Sequence, residues 1–83
     1  NLLHLYPNPA HGMVSLSTNN SELVNTEVTV KMLSADGRTE LITKGLFDGG
    51  GNLLVGIEGL SPGFYICEVS NGATTDRAKV IVY

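Results

Sequence analysis

The 83-residue sequence has no tryptophan, one cysteine and two histidines, and only 16% of its residues are charged. Each shortage excludes something. A lone Cys67 permits no internal disulfide, so the fold is not a disulfide-built scaffold, although the compartment stays open. Cys67, His4 and His11 are too few to make a zinc site. Asp36, Asp48 and Asp76 fall in or near turns, but none belongs to the regularly spaced oxygen ligands of a calcium loop. No metal and no cofactor is therefore expected. The five basic residues, Lys31, Arg38, Lys44, Arg77 and Lys79, are scattered, and the formal net charge is −3. Phosphate neutralisation needs clustered positive charge, which argues against a nucleic-acid partner. The strongly apolar runs are far shorter than the roughly 20 residues of a membrane helix, so direct membrane insertion is not expected. The start has no basic segment followed by an apolar one, as a signal peptide would. Its first residue is Asn1 rather than Met, and the chain reads as a single domain, residues 1–83, taken from a longer protein.

Helical periodicity is missing as well, and strict alternation takes its place. Leu3 and Leu5 flank His4, and Val14 and Leu16 alternate with Ser15 and Ser17. Val28, Val30 and Met32 alternate with Thr29 and Lys31. Tyr65, Cys67 and Val69 alternate with Ile66 and Glu68, and Ala78, Val80 and Val82 with Lys79 and Ile81. Each set turns one face to a core and the other to water. Turn chemistry separates the sets: Pro7-Asn8-Pro9 with His11-Gly12, the polar stretch 17–26, Asp36-Gly37, Gly49-Gly50-Gly51, Pro62-Gly63 and Asn71-Gly72. This predicts strands at about 2–6, 13–17, 27–33, 39–47, 52–58, 64–70 and 76–82, in an all-β sandwich of two antiparallel sheets. Leu60-Ser61-Pro62-Gly63-Phe64-Tyr65 has the form of a tyrosine corner, in which the phenol bonds upstream backbone and pins a Greek-key crossover.

Catalytic groups do not assemble in this pattern. His4 and His11 flank a Pro-rich turn, and Ser15 and Ser17 lie on the solvent side of their strand, so a nucleophile held by its surroundings is not expected. Gly49-Gly50-Gly51 lacks the following Lys-Ser or Lys-Thr and the helix of a phosphate cradle, and reads as a flexible hairpin tip. Cys67 shares the apolar face of Tyr65 and Val69 and should behave as a small buried hydrophobe. The last segment, Lys79-Val80-Ile81-Val82-Tyr83, is apolar on both faces. Such a strand is either central in a sheet or exposed for a partner. It also makes strand exchange between isolated copies a hazard.

Three blocks in order carry a family likeness: Leu5-Tyr6-Pro7-Asn8-Pro9-Ala10 before a strand, Asp36-Gly37-Arg38 after an apolar strand, and Leu60-Ser61-Pro62-Gly63-Phe64-Tyr65-Ile66 leading to Lys79-Val80-Ile81-Val82. With this order and spacing the chain resembles the C-terminal sorting domain of the type IX secretion system. The resemblance implies an immunoglobulin-like sandwich of about seven strands that serves as an address and not as an enzyme. It implies a tail on a longer cargo protein, carried through the periplasm to the cell surface or beyond. The implied partners are outer-membrane translocon and shuttle proteins and a sortase-like protease. In many members that protease removes the domain and the cargo is attached to lipopolysaccharide. The motif positions are Tyr6, Pro7, Asn8, Pro9, Gly37, Arg38, Gly63 and Tyr65, and the candidate recognition strand is Lys79 to Tyr83. Family members often end in a basic residue, where this chain has Tyr83. The alternative reading is a non-catalytic immunoglobulin- or fibronectin-like accessory module of a surface protein. The absence of tryptophan and the few aromatics weigh against a sugar-binding version of it.

Overall fold

The computed structural model describes residues 2–83, with side chains for all of these except residues 8–11. Seven strands follow one another: β1 (Leu3–His11), β2 (Met13–Thr18), β3 (Glu27–Ser34), β4 (Thr39–Leu46), β5 (Asn52–Gly56), β6 (Gly63–Ser70) and β7 (Thr75–Val82). Pairing runs in the order β4-β3-β6-β7-β1-β2-β5. The order folds back on itself at β1, which belongs to two sheets. Its first half pairs antiparallel with β2, from Leu3↔Thr18 to Tyr6↔Ser15. Its far end pairs parallel with β7 at Ala10↔Val82. The result is a sandwich of a three-stranded sheet (β1, β2, β5) on a four-stranded one (β4, β3, β6, β7). All of its other strand pairings are antiparallel.

The alternation in the sequence becomes the core. Val30 stands opposite Val69, Met32 opposite Cys67 and Tyr65 opposite Val80. From the facing sheet come Leu3, Leu5, Val14, Leu16 and Val55, all buried. A core of this kind carries most of the stability of a small domain, at about 25 cal/mol per Å² of apolar surface buried. Three contributors come from outside the strands. Leu23, in the crossover from β2 to β3, Phe47, just after β4, and Ile57, just after β5, are fully buried.

The structure departs from the sequence reading in two connections. Pro7-Asn8-Pro9 is not a turn: β1 runs through it to His11, and the ladder to β2 breaks between Tyr6 and His11. Proline has no N–H to give a ladder, so it suits the point where a strand leaves one neighbour for another. The Tyr6–Pro7 peptide bond is cis. The triple glycine is not a flexible hairpin tip either, because it links β4 in one sheet to β5 in the other. Asp48 Oδ1 accepts the amides of Gly50 and Asn52, both at 2.9 Å. Gly51 has φ +78°, and a Cβ there would stand 2.5 Å from the Thr18 carbonyl oxygen. Only glycine fits that approach.

The C-terminal strand and the blocks around it

The candidate strand is β7 with the residue that follows it. Alternation splits the candidates into two groups. Val80 and Val82 face the core and are buried, whereas Lys79, Ile81 and Tyr83 point outward. The strand is held on one side by β6, in register from Gly63↔Val82 to Ser70↔Thr75, and near its end by β1 on the other. It is therefore interior to the pairing order and not an edge.

That register gathers the sequence blocks. The Tyr-Pro-Asn-Pro block lies in β1 just before the Ala10↔Val82 pairing. Gly63 stands directly opposite Val82. Ser34, which opens the turn carrying Gly37 and Arg38, stands opposite Tyr65. All three blocks thus meet at the end of the sandwich where β7 finishes. Each has its own local device. The Tyr65 hydroxyl donates to the Ser61 carbonyl at 2.5 Å, closing the expected tyrosine corner. Gly37 adopts φ +89°, and the turn is closed by Ser34 N–H to the Arg38 carbonyl at 2.8 Å. The Ser34 hydroxyl also donates to Asp36 Oδ1, and this bond with the nearby Arg38 guanidinium lowers the Asp36 pKa. Tyr6 is exposed on the outer face of the three-stranded sheet. Asn8, Pro9 and His11 lie outside the described side chains.

The sequence reading missed the apolar company of Ile81. On the outer face of the four-stranded sheet Phe64 stands opposite Ile81, and Leu33 opposite Ile66. Phe64 is 42% exposed, Ile81 48% and Tyr83 65%. The signal was present, since Leu33, Phe64 and Ile66 are apolar at positions where alternation calls for polar ones. Arg77 donates to Glu68 across β6 and β7 at 2.8 Å, and this pair bounds the apolar patch on the side away from the chain end.

The other candidate chemistry does not come together. Ser17 stands opposite His4, but no Asp or Glu occurs on β1, β2 or β5 to orient the imidazole. Among the described residues no three His, Cys, Asp or Glu side chains converge to hold a metal. Cys67 is buried, and burial with the neighbouring Glu68 charge pushes its thiol up to about 12. A thiol so protonated is a packing group. Among the described residues no helix is long and apolar enough to cross a membrane.

Fold and site together define an all-β sandwich module whose distinguishing feature is an apolar surface beside its final strand. The chain belongs to the secretion system C-terminal sorting domain family, which it matches over residues 4–83. No curated protein matches the chain. Domains of this family are sorting signals of the type IX secretion system. Membership carries interaction with the type IX machinery in general and export to the cell surface or release from the cell.

Proposed function

We propose that the machinery reads this domain at the end where β7 finishes, and that the residues read are Lys79, Ile81 and Tyr83. The observation that carries this reading is the exposure of Ile81 and Tyr83 beside Phe64, at the end where the three family blocks meet. Because β7 is flanked by β6 and β1, recognition works through its outward side chains, while Val80 and Val82 fix those side chains to the core. The Tyr-Pro-Asn-Pro block sets the frame by holding β1 against the end of β7. In this reading the domain is the terminal tail of a longer cargo protein and crosses the periplasm before an outer-membrane translocon takes it up. A sortase-like protease then removes it, and the cargo is joined to lipopolysaccharide.

The test is export of a folded reporter fused ahead of the chain in a host with a working type IX system. Deleting residues 79–83 abolishes export. The substitutions Ile81→Ser and Tyr83→Ser together reduce it strongly while the domain stays folded, with its thermal unfolding midpoint lowered by only a few degrees. Normal export of the doubly substituted fusion refutes the assignment of the read residues.

A further inference from the structure

The two sheets differ in charge. β1, β2 and β5 contain no Asp, Glu, Lys or Arg, whereas β3, β4, β6 and β7 carry Glu27, Lys31, Glu40, Lys44, Glu68, Asp76, Arg77 and Lys79. The same contrast holds at the two edges of the sandwich. Edge strands present open peptide groups, and folded proteins protect them with charges or proline. Edge β4 has Glu40 and Lys44. Edge β5, Asn-Leu-Leu-Val-Gly, has neither device.

Register shows which peptide groups β5 leaves open. Gly51 accepts from Thr18 N–H and Ile57 donates to the Gly12 carbonyl, so odd-numbered residues here turn toward β2. In an antiparallel ladder the even-numbered ones then turn outward. Asn52 has its outward groups engaged: its N–H donates to Asp48 Oδ1 and its carbonyl accepts from Asp48 N–H. Leu54 and Gly56 remain, with outward N–H and C=O groups that find no partner among the described residues.

We infer that β5 is the pairing edge for a second copy of this chain. Two β5 strands set antiparallel about a two-fold axis at Val55 place Leu54 opposite Gly56 of the other copy, twice. Each such pair exchanges two N–H···O bonds, so the four open groups of each strand satisfy those of the other. Side chains agree with this register. Leu54, 62% exposed, lies over the vacant side of the other copy's Gly56 and against the Met13 that neighbours it. No charge on either strand opposes the approach, although the whole chain carries −3. A closed two-fold contact of this kind uses the same patch twice and does not propagate. Pairing over five residues makes a small interface, of the transient class below about 1,200 Å².

Sedimentation of the 83-residue chain from micromolar to millimolar concentration tests the inference. A concentration-dependent monomer–dimer equilibrium is expected, with the Leu54 and Gly56 amides exchanging more slowly as dimer forms. Leu54→Lys weakens the dimer at least tenfold without shifting thermal unfolding of the monomer. Ile42→Lys on the β4 edge leaves the dimer intact. A monomer throughout the range overturns the inference. So does a dimer indifferent to Leu54→Lys, which is the result strand exchange through β7 would give.

Discussion

The two ends of the sandwich are built differently. At the end where β1 begins, connections bond to one another across the chain. Asn19 N–H donates to the Leu2 carbonyl at 2.9 Å, Asn20 Nδ2 to Asp76 Oδ2 at 3.1 Å and Asn71 Nδ2 to the Glu22 carbonyl at 3.2 Å. Leu23 plugs the core beneath them. At the opposite end the devices are local, a tyrosine corner and a tight turn, and the large apolar side chains of Phe64, Ile81 and Tyr83 face outward. One end is sealed and the other presents surface. A folded domain that serves as an address needs both. The sealed end secures the fold, and that freedom from structural duty lets the other end keep side chains that contribute to recognition and little to stability.

Breaking the sealed end should have the largest effect on folding. Leu23→Ala removes a fully buried side chain and leaves a cavity in the core, at a cost of about 2–5 kcal/mol. A domain this size has only about 4–12 kcal/mol of stability, so urea unfolding should shift to much lower midpoints with little change in slope. Export of a fusion should fall in step with the loss of folded protein.

Alkaline pH probes the core between the two ends. The Cys67 thiol is raised from 9.0 to about 12 in the folded chain, chiefly by burial. Its contribution is therefore fully present below pH 9 and is lost as pH rises from 9 toward 12. There the unfolded chain sheds a proton that the native one retains. The expected slope is about 1.4 kcal/mol per pH unit, absent in Cys67→Ala, and equilibrium unfolding at pH 8 to 11 measures it.

At the presenting end the structural device is weaker. Tyr65→Phe keeps the ring in the core and deletes only the bond to the Ser61 carbonyl, which sits on an exposed residue that water can reach. A loss of about 1 kcal/mol in urea unfolding follows. No change would mean that the corner does not pin the crossover.

The sequence disclosed what depends on local pattern. Alternation located all seven strands to within a few residues at most boundaries, and it placed Val30, Met32, Cys67 and Val80 in the core. The tyrosine corner was legible because its turn and its donor lie four residues apart. What escaped depends on pairing across the chain. Leu23 sits in a polar stretch, and nothing local says that it plugs the core. The run of β1 through its prolines is visible only once β7 is there to receive it. For the same reason the candidate strand could be named from its apolar ends, but its partner Phe64 could not, because the Phe64↔Ile81 register belongs to the folded sheet. The list of five residues also mixed two roles, since alternate residues of one strand face opposite ways.

The smallest effect on stability is expected where the effect on sorting is greatest, and this tests the contrast between the ends most sharply. Phe64 and Ile81 are a directly opposed pair on an exposed face. Such cross-strand pairs contribute about 0.2–1 kcal/mol, so Phe64→Ser and Ile81→Ser should each leave urea unfolding within that margin. If this surface is read, each should nevertheless lower reporter export, and the double substitution should lower it further. The sealed end gives the opposite signature, in which export tracks stability. Should Phe64→Ser and Ile81→Ser leave export intact while Leu23→Ala reduces it, the apolar patch is only tolerated exposure, and the address lies elsewhere on the fold.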